Sequence, residues 1–195
     1  MYIDQFLQHY PIDQPRQACD EAKLSELRLL LPPALIELYE AHGVGSYRDG
    51  LVCLIDPAVL HDAYADFFGG DAGGRVPFLV NAFGEPVAYK RIGPREAELS
   101  ILHSYGPKLE VLAYELGDFF DRILLTDDGL RQLVNVPLFH QLRSRLGKLR
   151  YGQSYGFDPA LLAEEGDGAK ADASFFEVVD TAQHLRLLYE RASAD

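Results

Sequence analysis

Cysteine and tryptophan are scarce in this chain of 195 residues, which has two cysteines and no tryptophan. Cys19 and Cys53 lie far apart in sequence and form no CxxC or Cys/His pattern, so the sequence predicts neither a disulfide framework nor a zinc site. No run approaches the roughly 18 apolar residues of a membrane span, and residues 1–15 lack the basic and apolar regions of a signal peptide. We therefore expect a cytoplasmic protein in a reducing compartment, without membrane contact.

Positive charge is also scarce, since 18 Lys and Arg residues face 30 Asp and Glu residues and the formal net charge is −12. Residues 1–70 hold 11 acidic and 4 basic side chains, residues 71–160 hold 11 of each, and residues 161–195 hold 8 and 3. Such a balance argues against nucleic acid or an anionic membrane as a direct ligand and favours a basic partner. Solubility is the alternative reason for the acidic balance.

Recognisable catalytic motifs are missing as well. The sequence has no GxxxxGK[ST] phosphate loop, no GxSxG elbow and no HExxH zinc motif. We predict that the protein is not an enzyme and holds no cofactor or metal. An enzyme whose site forms only in the fold stays open, and its mark is a deep pocket that joins a histidine to a carboxylate. The candidate histidines for such a pocket are His103, His140 and His184.

Local structure signals are clearest between Leu31 and Phe68. Pro33 suits the first turn of a helix that Gly43 ends, and Leu51–Ile55 is an apolar run typical of a strand. Asp56 and a following proline predict the start of a second helix. Its apolar residues recur at helical spacing and predict one buried stripe. They are Leu60, Ala63, Tyr64, Phe67 and Phe68. Asp62 and Asp66 lie beside this stripe, and we expect Tyr47, Asp49, Asp62 and Asp66 on the solvent side.

A four-strand meander is predicted between residues 76 and 114, where apolar residues alternate and short turns separate the strands. Connections of this length exclude crossover helices, so the sheet is antiparallel. Helices return after Tyr114, followed by a strand at 175–179 and a final helix capped by Asp180 or Thr181. The fold class is therefore α+β, an antiparallel meander sheet flanked by helices. The glycine-rich residues 69–74 predict a boundary between units 1–70 and 75–195, with one compact unit as the alternative.

The stretch LPPALIELYEAHGVGSYRDGLVCLIDP resembles the GAD-like domain, which makes residues 1–70 its mainly helical part. Three later stretches are similar to the C-terminal domain that accompanies GAD-like domains in type VI secretion immunity proteins. They are RVPFLVNAFGEPVAYK, LGKLRYGQSYGFDPALLAEEGDG and FEVVDTAQHLRLLYER. Cys53 departs from that pattern, in which an aromatic residue is usual.

This resemblance implies an immunity protein that binds a cognate toxin, most simply a DNA-cleaving nuclease with a basic cleft. An acidic protein both steers toward such a cleft and occupies it. A small enzyme and an intracellular scaffold of the SUKH-like kind stay open as alternatives. The predicted partner-binding residues combine acidic side chains with tyrosine anchors. They are Tyr47, Asp62, Asp66, Tyr151, Tyr155, Glu164, Glu165, Asp167 and Asp172.

Overall fold

A computed structural model describes residues 2–94, 96–157 and 173–194. Its helices are α1 (Tyr2–His9), α2 (Glu21–Leu30), α3 (Pro33–His42), α4 (Pro57–Asp66), α5 (Leu116–Asp118), α6 (Asp127–Leu133), α7 (Val136–Leu146) and α8 (Thr181–Ala192). A π-helix (Phe119–Leu124) follows α5 directly, and a 3-10 turn spans Ala173–Phe175. Its strands are β1 (Gly45–Tyr47), β2 (Val52–Leu54), β3 (Val76–Asn81), β4 (Pro86–Arg91), β5 (Ala97–His103), β6 (Lys108–Ala113), β7 (Gln153–Gly156) and β8 (Glu177–Asp180). No helix in these ranges is long and apolar enough to cross a membrane.

The central element is a six-stranded antiparallel sheet in which β1 to β6 lie in sequence order. The predicted α+β class and the meander of β3 to β6 are confirmed. The sheet is larger than predicted, because the loop after α3 contains β1, which pairs with β2. At three residues, β1 is too short to show an alternating pattern. Its outer edge is held by bridges from Ile12 and Gln17 in the N-terminal arm.

Helix starts follow the local chemistry of the sequence. The side chains of Asp20, Asp56 and Asp180 accept hydrogen bonds from backbone N–H groups in the first turns of α2, α4 and α8. Each bond satisfies a donor that the helix itself leaves open, which is why these residues mark helix starts. The C-terminal end of α3 is also as expected, because Gly43 ends this helix at a φ of 62°.

The core lies on both faces of the sheet. Val87 and Ile101 belong to a large apolar cluster that also contains the buried side chains of α1, α3, α6, α7 and the π-helix. Ala88 and Leu102 point to the other face and pack with Tyr64 of α4. Helix α8 packs on α4 in turn. Helices therefore cover both sides of one sheet.

Strand β2 pairs with β3 through Val52 and Asn81. The two strands lie on opposite sides of the boundary expected at residues 69–74, so the two predicted units share this sheet. The division into 1–70 and 75–195 stays a prediction.

Candidate functional site

The tyrosines expected as surface anchors lie inside the protein or at its edge. Tyr47 is fully buried, with the guanidinium of Arg16 at 4.5 Å from its ring centroid. Arg16 also donates to the Tyr47 hydroxyl at 3.0 Å. Burial raises the pKa of Tyr47 to about 12. The expectation that Tyr47 faces solvent is wrong, because the N-terminal arm covers β1.

Tyr155 and Tyr151 tie the C-terminal part to the rest of the fold. Tyr155 is fully buried, and its hydroxyl donates to the carbonyl of Gly147 at 2.5 Å. The half-buried Tyr151 accepts a hydrogen bond from the backbone N–H of Asp56 at 3.3 Å. Both rings contribute to packing, and their role in partner binding stays a prediction.

Asp62 and Asp66 lie on α4 as the helical spacing predicts. The side chain of Asp62 is 86% exposed and contacts His61, while Asp66 is half-buried. Across the residues that the structure describes, neither carboxylate pairs with a lysine or an arginine. A second acidic surface lies near Tyr2, where burial, Glu37 and Asp121 raise the pKa of the tyrosine hydroxyl.

The four cations of residues 1–70 are engaged within the fold. Arg16 donates to three backbone carbonyls, of His42, Gly43 and Ser46. Arg48 lies over the ring of Tyr10 at 5.5 Å. The other two cations form ion pairs, Lys23 with Glu26 and Asp56 and Arg28 with Glu21 and Glu40. The cations of this segment therefore do not balance its excess of acidic side chains.

Asp49 is not a free solvent-facing carboxylate. It lies in the left-handed region at a φ of 62° and pairs with Arg143 and Lys148, each at 2.5 Å. Arg145 binds the carbonyls of Ala173 and Phe176. Three cations at the end of α7 thus hold neighbouring segments in place. The predicted acidic residues Glu164, Glu165, Asp167 and Asp172 lie outside the described residues.

A cleft of about 380 Å³ lies where the β3–β4 turn, the end of β5 and the α6–α7 junction meet. Its polar residues are Glu85, His103, Arg131, Gln132 and Asn135, and its aromatic residues are Phe83, Tyr105, Phe157 and Phe176. Leu133, Val134 and Leu138 complete the apolar part of the lining. The cleft joins His103 to the carboxylate of Glu85, which is the mark expected of an enzyme whose site forms only in the fold. No local sequence motif indicates this cleft.

His103 lies between two carboxylates. Its Nδ1 is 3.1 Å from Oε1 of Glu85, and its Nε2 is 3.6 Å from Oε2 of Glu110. The other Glu85 oxygen accepts from Nδ2 of Asn81 at 2.8 Å. The hydrogen bond to Glu85 raises the pKa of His103, and the charge of Glu110 adds to the effect. His140 and His184 lie outside this cleft lining, although Nε2 of His184 is 3.2 Å from the Tyr105 hydroxyl.

The raised pKa of His103 predicts a pH-dependent stability. The folded state binds its proton more tightly than the unfolded state, whose histidine titrates near about 6.5. The stabilisation is complete below that value and is lost as pH rises through the folded pKa. We expect the free energy of unfolding to fall as pH rises from about 6.5 through the folded pKa of His103, and we expect no such fall in the variant His103→Gln. Urea denaturation at a series of pH values from 6.5 upward measures the free energy of unfolding.

His184 provides the control for this titration. Burial lowers the pKa of His184, so its protonation destabilises the fold only below about pH 6.5. The two histidines therefore act in separate pH windows. An unchanged slope above pH 6.5 in His103→Gln contradicts the assignment to His103.

These features define a small α+β protein with a meander sheet, acidic helix surfaces and an aromatic cleft. The chain belongs to the GAD-like domain family, whose model matches residues 1–102. The match covers helices α1 to α4 and continues through β3 and β4 into β5, beyond the boundary expected near residue 70. No curated protein matches the sequence significantly.

The crystal structure of Atu4351 from Agrobacterium tumefaciens has a similar fold. The TM-score is 0.73 at 17% sequence identity, and the alignment covers 97% of this chain and 89% of that one. At this identity the likeness concerns the fold alone. It extends over nearly the whole chain, including the part beyond residue 102.

Proposed function

We propose that this protein is an immunity protein of the type VI secretion kind, which binds a cognate toxin in the cytoplasm and blocks it directly. The observation that carries the proposal is the charge arrangement of residues 1–70. All four cations of this segment contact partners within the segment, whereas Asp62 and Asp66 meet solvent without a lysine or arginine partner in the described part of the chain. Its GAD-like membership and the similarity of its C-terminal stretches to immunity proteins support the same function.

The partner in this proposal is a basic toxin domain, most simply a DNA-cleaving nuclease. A nuclease cleft that attracts DNA phosphates also attracts an acidic protein surface, which accelerates encounter and competes with the substrate. Inhibition by occlusion requires no catalytic group on the immunity protein. A tight complex of this kind is expected to bury about 1,600 Å².

Co-expression with the product of the neighbouring gene tests the proposal. We expect that product to be toxic to cells when it is expressed alone and harmless together with this protein. We also expect the two purified proteins to form a stable complex. A neighbour without toxicity, or no complex at micromolar concentration, contradicts the immunity function. A pull-down from native lysate that recovers housekeeping proteins with this protein instead favours the scaffold alternative.

Charge reversal on α4 gives the corresponding kinetic prediction. The double variant Asp62→Lys and Asp66→Lys is expected to slow association with the toxin about tenfold at low salt, because steering depends on long-range attraction. The salt dependence of the association rate is expected to weaken as well. Stopped-flow or surface plasmon resonance measures both quantities.

Glu96→Lys combined with Glu115→Lys is the matched control, because both residues are exposed and the change in net charge is the same. An equal slowing in both double variants contradicts a specific role of α4 and leaves net charge as the cause. Reversal of Glu164, Glu165 and Asp167 together tests the predicted C-terminal acidic segment in the same assay.

An enzyme is the second candidate, and the pairing of His103 with Glu85 in the cleft favours it. A histidine held by a carboxylate is a common general acid or base. The stoichiometry of protection separates the two candidates. An inhibitor protects only at about one molecule per toxin, whereas an enzyme that modifies the toxin or repairs its damage protects at far lower ratios and loses this ability in His103→Gln.

A further inference from the structure

The aromatic side chains of the cleft form one continuous wall. Phe83 and Phe176 meet edge to face with ring centroids 6.1 Å apart, and Phe176 meets Phe157 at 4.9 Å. Phe157 in turn stacks on Tyr105 at 4.9 Å with an interplanar angle of 10°. The faces of aromatic rings carry partial negative charge and attract cations. Four joined rings along one cavity therefore favour a flat or cationic ligand.

The polar end of the cleft has the same electrostatic preference. Glu85 lines the cleft and its side chain is 15% exposed, and Glu110 lies behind His103. Each Glu85 oxygen accepts one hydrogen bond, from Asn81 or from His103, and an ionised carboxylate accepts more than two. A ligand that donates hydrogen bonds thus finds acceptor capacity at the end of an aromatic wall.

The cations near this end are already paired. Arg131 lines the rim and binds Asp128 at 2.8 Å, and Lys108 binds Glu110 at 3.4 Å. Among the described residues that line the cleft, His103 is the other group that can carry a positive charge, and it does so only while it is protonated. Once His103 loses its proton, the carboxylate of Glu85 lines the cleft without a compensating charge on the histidine.

We propose that this cleft binds a guanidinium, amidinium or alkylammonium group carried on an apolar stem or ring. The apolar part packs against Phe83, Phe157 and Phe176, and the cationic head donates hydrogen bonds to Glu85. The bound cation takes the electrostatic place of the His103 proton, so binding releases that proton. The volume of about 380 Å³ is within the range of small-molecule pockets and accommodates one arginine side chain or one small aromatic cation.

Three probes of nearly equal shape test the charge preference on the unmodified protein. Benzamidine is a cation, benzamide is neutral and benzoate is an anion. Titrations at pH 8.5, followed by NMR shifts of the cleft residues, are expected to give at least tenfold tighter binding for benzamidine than for the other two. Tighter binding of benzoate overturns the proposal, as do equal affinities and the absence of benzamidine binding.

Two further measurements assign the effect to the named groups. Glu85→Gln keeps the size of the side chain and is expected to weaken benzamidine binding about tenfold, whereas Glu96→Gln, outside the cleft lining, leaves the affinity unchanged. The charged groups around this site are Glu85, Glu110 and Lys108 beside His103 and Arg131 in the cleft lining. Benzamidine affinity is expected to rise from pH 6 to pH 8.5, because His103 loses its proton over this range. An affinity that falls or stays constant over this range overturns the exchange with the His103 proton.

The natural cation is either a side chain of a protein partner or a free small molecule. A toxin complex that weakens about tenfold in Glu85→Gln assigns it to the partner, and an unchanged complex assigns it to a small molecule. Both results keep the cleft as a cation site. The probe titrations use this protein alone, so their outcome is independent of whether a toxin partner exists.

Discussion

Gly129→Ala is expected to destabilise this protein by about 3 kcal/mol, although the same change in an ordinary helix interior stabilises by about 1 kcal/mol. A Cβ atom on Gly129 meets the carbonyl oxygen of Arg122 at 1.9 Å and Cα of Ile123 at 2.5 Å. Both are backbone atoms of the π-helix, so no side-chain rotation relieves the contact. Helix α6 must therefore move away from the π-helix.

The local hydrogen bonds make that movement costly. The hydroxyl of Thr126 accepts from the backbone N–H of Gly129 at 3.0 Å and donates to the carbonyl of Arg122 at 2.6 Å. A shift of α6 breaks this cap and opens the packing around Leu130 and Leu133. For a chain of this size, about 3 kcal/mol corresponds to a melting temperature about 6–12 °C lower. Calorimetry and urea denaturation measure the two quantities.

Gly106→Ala is the matched control, because no atom lies within 4 Å of a Cβ built at that position. Its backbone is not in the left-handed region, so the change is expected to stay within about 0.5 kcal/mol. Similar losses in both variants contradict the close approach of α6 to the π-helix.

Phe6→Ala is expected to cost about 4 kcal/mol of unfolding free energy, as a large aromatic side chain is removed from a packed core. Phe6 is 1% exposed, and its ring lies 4.7 Å from that of Tyr10, 5.1 Å from that of Tyr47 and 5.3 Å from that of Phe120. These contacts join α1 to the sheet and to the π-helix. The N-terminal arm is thus part of the core.

Gln8→Ala controls for any effect on α1 itself, because Gln8 is exposed on the same helix. It is expected to change the unfolding free energy by less than about 0.5 kcal/mol. If the N-terminus is frayed, Phe6→Ala lowers the free energy of unfolding by less than about 1 kcal/mol. That result contradicts the packing of Phe6 described above. Equilibrium urea denaturation followed by circular dichroism separates the two outcomes.

The amino-acid sequence by itself determined the elements whose cause is local. Asp56 and Asp180 start helices because their side chains accept hydrogen bonds from the next turn, and Gly43 ends one because it tolerates positive φ. Short polar turns between alternating apolar runs likewise determined the antiparallel order of β3 to β6. The stripe of α4, with Asp62 outside it, follows from helical periodicity alone.

The tertiary structure decided every feature that joins distant parts of the chain. Tyr47 is buried because Phe6, Arg16 and the N-terminal arm pack against it. The residues next to Tyr47 in the sequence do not predict this burial. Asp49 is neutralised by Arg143 and Lys148, nearly a hundred positions further on, so the residues around Asp49 do not reveal that it is paired. His103 and Glu85 meet because β4 and β5 pair side by side, and Phe157 and Phe176 complete the cleft from another part of the fold. Local hydrogen bonding and periodicity act over a few residues, whereas burial, ion pairing and cavity shape depend on which segments the folded chain brings together.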